Sequence, residues 1–180
     1  MTLMDLAPES VAALVGGAIA SIATAAAHRS KDRAAGRRSA ADAICPRLQD
    51  LLQLVRKWDR DAAVVRWFEA TEGALNAIEA ETHRLPEGWG HLRRSIRAAI
   101  GEATGMFAFA DRSLPDPTAE LPERCPTWAD NAEEYLAYAL RSVRTWRDSA
   151  ASPRRAPELV DFDTWLNRRA HAPGVMSLIA

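Results

Sequence analysis

Residues 10–27 read S-V-A-A-L-V-G-G-A-I-A-S-I-A-T-A-A-A, eighteen positions without a charge. His28, Arg29, Ser30, Lys31, Asp32 and Arg33 follow at once, then Arg37 and Arg38. As a helix the run covers about 27 Å, close to the hydrocarbon thickness of a bilayer. A helix also satisfies its own backbone, which lipid demands. The run therefore predicts one transmembrane helix over about 10–27. Insertion is only marginally favourable. Eight of the residues are Ala, and Val11, Leu14, Val15, Ile19 and Ile22 are the strongly apolar ones. Each of those contributes roughly −0.3 to −0.6 kcal/mol.

The flanks set an orientation. Residues 1–10 carry no Lys or Arg, whereas 28–47 carry Arg29, Lys31, Arg33, Arg37, Arg38 and Arg47. The positive-inside bias puts the N-terminus outside and the C-terminal domain in the cytoplasm, a single-pass protein of the cell membrane. Two alternatives compete. Ala25, Ala26 and Ala27 look like a signal-peptide cleavage site, but Asp5 and Glu9 give the wrong charge before it. Residues 10–27 can also be an Ala-rich helix buried in a soluble bundle.

Small residues recur every four positions: Ala12, Gly16, Ala20 and Thr24, and again Ala13, Gly17, Ser21 and Ala25. Such rows let helix backbones approach closely in lipid. Gly16, Gly17, Ala20 and Ser21 are thus candidates for helix association and a homo-oligomer. Arg29, Lys31, Arg33, Arg37 and Arg38 are candidates for contact with anionic lipid, at about 1 kcal/mol each near the surface.

A chain of 180 residues permits one domain plus an anchor. The net charge of −1 points to no partner. Its distribution says more: residues 28–58 hold eight basic and three acidic side chains, and 59–90 hold three and seven. The pattern repeats, with two and seven over 111–140 and seven and four over 141–180. Alternation of this kind suits helices packed with complementary charge, or solvated faces. Arg93, Arg94 and Arg97, or Arg141, Arg144 and Arg147 with Arg154 and Arg155, could meet phosphates. The near-neutral balance and the lack of a nucleic-acid-binding signature argue against that partner.

Past the anchor, residues 28–45 read as a basic juxtamembrane stalk. Residues 46–171 read as a cytoplasmic helical domain, and 172–180 as an apolar tail. Pro46 predicts a helix start or a kink. Leu48, Leu51, Leu52, Val55, Trp58, Ala62, Val65 and Phe68 keep steps of three or four, and Leu75 and Ile78 resume the series. That predicts one helix of nearly forty residues, or two with a bend at Gly73, ended near Pro86. Trp67 falls off the stripe, which leaves an exposed contact open for it, but packing is the expected role of each tryptophan. A helix over 91–110 follows, buried through Leu92, Ile96, Ala99, Ile100, Ala103, Met106 and Phe107, with Arg93, Arg94 and Arg97 off the stripe. Residues 111–126 form a Pro-rich loop. Thr127 is expected to cap the next helix, whose face is Trp128, Ala132, Tyr135, Leu136, Ala139, Leu140 and Val143. A short helix spans about 163–170, with Asp163 as its cap. No segment alternates with period two. The expected fold is all-α: an N-terminal single transmembrane helix followed by a compact antiparallel bundle of three to five helices.

Motifs for chemistry fail one by one. Leu159, Val160, Asp161, Phe162, Asp163 and Thr164 resemble the nucleophile motif of haloacid-dehalogenase-type phosphatases. The Thr comes one position early, and seventeen residues after Asp163 cannot build that family's α/β domain. Cys45 and Cys125 make no disulfide framework. Each precedes a Pro, a pairing similar to that of haem-responsive proteins, but a stiffened turn explains both. Glu79 and His83 sit four apart on a helix with too few neighbours for a metal site. No cofactor or metal is expected, and no enzyme.

The expected function is contact or self-association at the membrane with an unidentified protein partner. The anchor-plus-stalk layout is similar to that of small membrane-anchored accessory proteins of bacterial mobile elements, such as those of plasmid transfer or spread. Two other classes stay open: a soluble helical regulator of nucleic acid or protein with 10–27 in its core, and an enzyme whose site assembles only in three dimensions.

Overall fold

In the computed structural model one helix, α1 (Pro8–Lys57), runs for 50 residues. The structure describes residues 8–58, 64–104, 123–149 and 156–171, with side chains from residue 27 onward except 102 and 103. The chain forms two compact units, Met1–Gly36 and Arg37–Ala180. The first contributes helical backbone from Pro8 onward. Among the described residues no helix is long and apolar enough to cross a membrane. Residues 10–26 are helical in backbone, but their side chains fall outside the described ones. The small-residue candidates Gly16, Gly17, Ala20 and Ser21 fall there too. Residues 105–122, most of the expected Pro-rich loop, and the tail 172–180 lie wholly outside.

The second unit is a helical bundle, and no strand occurs among the described residues. After α1 come α2 (Val64–Ala80), two short 3-10 turns (Thr82–Arg84 and Glu87–Trp89), α3 (Leu92–Thr104), α4 (Pro126–Asp148) and α5 (Phe162–Ala170). Helix α1 passes through Pro46 without a break. Proline lacks the N–H that the carbonyl four residues back would accept from, and its ring is exposed here. The core begins at Ala40, so the segment expected as a stalk enters it through Ala40, Ala41, Ile44 and Cys45. Leu48, Leu51, Leu52 and Val55 continue the buried face as their spacing predicts.

Trp58 ends α1 in a left-handed conformation, φ 42°, that side chains seldom adopt. Beyond this break the first turn of α2 differs from the sequence reading, while Leu75 and Ile78 are buried as read. Val64, Trp67, Thr71, Ala74, Leu75 and Ile78 face inward. Trp67 is fully buried with its ring 5.4 Å from that of Trp58, while Val65 is exposed. Helix α2 runs through Gly73 without interruption. Helix α4 starts at Pro126 with Cys125 at the cap position and no side-chain cap, so Thr127 lies inside the helix. Proline suits a first turn, where its missing N–H is not needed. Ala129 takes the inward position one residue after Trp128, which is left 47% exposed. Helix α5 begins two residues earlier than the Asp163 reading implies. Asp161 is its cap and accepts from the Thr164 N–H at 3.0 Å. Arg97 is buried and pairs with Glu72 at 3.3 Å rather than facing solvent.

Candidate functional site

Helices α1 and α4 meet along a row of side chains from each. On α1 the row is Gln49, Gln53 and Arg56; on α4 it is Ala137, Arg141, Arg144 and Asp148. Spacings of three and four keep each row on one helix face, beside the buried seam. Between them lies a groove of about 680 Å³ with Leu52 and Leu140 at its apolar floor. It is the candidate functional site.

Its electrostatics favour anions. Arg56 is paired with Glu133 at 2.9 Å. Arg144 donates to the neutral Gln49 Oε1 at 2.8 Å, so its charge is not cancelled there. Arg141 makes no ion pair among the described residues. Asp148 is the one carboxylate in the lining, and it is held from outside the groove by Arg147 at 2.8 Å. That pairing lowers the Asp148 pKa and raises that of Arg147. Arg147 also reaches Asp42 at 3.5 Å. A smaller hollow of about 380 Å³ continues past Arg144, lined by Asp42, Cys45, Pro46 and Asp50.

The groove can hold an anionic group; it is poorly suited to moving protons. Guanidinium stays charged at every accessible pH, and amides do not ionise. Cys45 borders the smaller hollow, but burial pushes its thiol up despite the opposing pull of Arg144 and Arg147. A thiol held protonated is a weak nucleophile. Among the described residues no three His, Cys, Asp or Glu side chains gather in a way that could hold a metal ion.

The residues singled out in the sequence are placed as follows. Arg29, Lys31, Arg33 and Arg38 are exposed along α1. Arg37 is half-buried and donates to the Ser149 carbonyl at 3.1 Å. Glu79 pairs with Arg93 at 2.7 Å, and His83 is exposed beyond the end of α2, in a 3-10 turn. Leu159 to Thr164 supply a buried Leu, the α5 cap and its first turn, with no strand. Gln49 and Gln53 went unnoticed in the sequence. Their signal was a polar row flanking an apolar stripe on α1, matched by one on α4.

Comparison of the chain with family models, curated proteins and solved structures returns no match.

Proposed function

We propose that this is a single-pass membrane-anchored helical protein that acts by contact and self-association rather than by catalysis. One observation carries the proposal: the uncharged run 10–27 lies on the same helix as a cluster of exposed cations, Arg29, Lys31, Arg33 and Arg38. That order, apolar span then basic flank, is what anchors a helix with its basic side at the cytoplasmic leaflet. The bundle beyond Arg37 then works at the membrane surface, with the α1/α4 groove as its contact for acidic groups. The setting that fits the layout is an accessory role in a bacterial mobile element.

The test is alkaline carbonate washing of membranes from cells making the tagged full chain. The protein is expected in the washed pellet, and deletion of residues 1–27 is expected to release it. Recovery of the full chain in the soluble fraction would overturn the anchor.

A further inference from the structure

Residues 156–161, a strap without helix or strand, lead into α5. Backbone carbonyls in such a segment have no ladder to satisfy them. Here four in succession are taken by four side chains from distant parts of the chain. Trp89 Nε1–H donates to Pro157 O at 3.2 Å, and the Tyr138 hydroxyl to Glu158 O at 2.8 Å. His91 Nε2 lies 2.8 Å from Leu159 O, and the Tyr135 hydroxyl donates to Val160 O at 2.9 Å. A carbonyl only accepts, so His91 carries its proton on Nε2. In return the Val160 N–H donates to Tyr138 Oη at 3.2 Å, and the Phe162 N–H to Ser95 Oγ at 3.2 Å. Leu159 and Phe162 fill the space between these donors, 5% and 2% exposed. This is how a receptor holds an extended peptide: donors for the backbone, pockets for chosen side chains.

The occupant is also organised within itself. Arg168 pairs with Glu158 at 2.8 Å, and Asp161 accepts from the Thr164 hydroxyl at 2.7 Å. Phe162 stacks on Trp165 at 6.2 Å, and Arg169 lies over the Trp165 ring. Strap and α5 together make an arm with its own contacts, seated against α3 and α4.

We propose that the cleft of Trp89, His91, Ser95, Tyr135 and Tyr138 is a peptide-binding site that takes the arm, residues 156–171, of a second copy of this chain. The inference rests on the self-association part of the proposed function and names the segment that carries it. The donors recognise backbone and cannot tell an arm in cis from one in trans. Every other copy presents the complementary ligand. Exchange replaces each contact by an identical one, so only association opposes it. Confinement to a membrane raises effective concentration and reduces that cost.

Complementary full-length variants in detergent test this. Leu159→Asp disables the arm and leaves the cleft. Tyr135→Phe with Tyr138→Phe disables the cleft and leaves the arm. An equal mixture is expected to show, by light scattering, a heterodimer of twice the mass that neither variant forms alone. A synthetic peptide of residues 156–171 is expected to dissolve it. A mixture with the mass of its components, each with wild-type helicity by circular dichroism, overturns the proposal. So does a dimer that excess peptide leaves intact, because that association runs through another surface. Should Leu159→Asp fail to fold, the labelled peptide is titrated against the wild-type full chain and the double Tyr variant. Saturable binding, weakened roughly tenfold or more in the variant, supports the site; no binding to wild type overturns it. Carbonate extraction of the same variants reports on the anchor alone, so either idea can fail without the other.

Discussion

Trp58 shows two residue-scale forces in opposition. Its φ of 42° costs on the order of 1–2 kcal/mol for a residue with a Cβ. Its indole is buried, 7% exposed, edge-on to Trp67. Losing a buried aromatic of that size costs about 3–5 kcal/mol. Burial wins, so Trp58→Gly is expected to destabilise by about 2 kcal/mol or more in urea denaturation, although glycine relieves the strain. Tyr135 offers a second check. Burial pushes its pKa up to about 12, while the unfolded chain ionises near 10. The folded state thus holds the proton longer. The associated stability is fully present below pH about 10 and is lost as pH rises towards 12. Absorbance titration of the phenolates is expected to show a step near 12 that Tyr135→Phe removes. Among the described residues, Arg97 and Glu72 form a largely enclosed ion pair, with side chains 11% and 31% exposed. Glu72→Ala is expected to cost about 1–3 kcal/mol, below the range for a fully buried pair because Glu72 still meets water. Glu158→Ala, in a pair 60% and 70% exposed, is expected to change stability much less.

Among the elements, α5 depends most visibly on one side chain. Asp161 caps it through Thr164, and those hydrogen bonds hold its carboxyl below the usual carboxylate range. Asp161→Ala is expected to cost about 1 kcal/mol. The sign with pH follows from the lowered value: the contribution is present above the unfolded pKa near 3.9 and is lost as pH falls through the folded one. Asp161→Asn keeps a capping oxygen and cannot ionise, so urea titrations at pH 3 and 7 are expected to differ less for it than for wild type. How legible each helix was depended on whether its phase was set locally. On α4, Ala132, Tyr135, Leu136, Ala139, Leu140 and Val143 were all readable from spacing, and all are buried. On α3, Leu92, Ile96, Ala99 and Ile100 were equally plain. On α2, Leu75 and Ile78 are buried as read, but the first turn was misplaced at Val65 and Trp67, because a period carries information only while the helix continues, and α1 stops at Trp58. At Pro46, read as a helix start or a kink in a continuous helix, the helix continues, and tertiary packing of Ile44, Cys45 and Leu48 outweighs a local cost of about 3 kcal/mol.

At the scale of the molecule, what the sequence hid is what joins residues far apart. The four carbonyl contacts of the strap link positions 20 to 68 residues apart, and the groove pairs Arg144 with Gln49 across 95. Periodicity places side chains on a face but does not say which face meets which. The division of the chain at Gly36 and Arg37 has a direct experimental consequence. Every core residue among the described ones lies at Ala40 or beyond. A chain of residues 37–180 keeps 21 residues of α1, Arg37 to Lys57, long enough for packing to hold the helix. It also keeps the Arg37 bond to Ser149. The new α-amino group sits unfavourably at a helix N-terminus, a cost of a few tenths of a kcal/mol to about 1 kcal/mol. Deletion of residues 1–36 is therefore expected to leave a cooperative urea transition with an unchanged slope and a midpoint lowered only slightly. If residues 10–27 were instead a core helix, the same deletion would strip a full face of apolar contacts. Burying Val11, Leu14, Val15, Ile19 and Ile22 at about 1.5–3 kcal/mol each is comparable to the roughly 5–15 kcal/mol that separates folded from unfolded chains, so the cooperative transition would disappear. The slope of the denaturation curve thus decides between an anchor carried outside the fold and a helix that belongs to it.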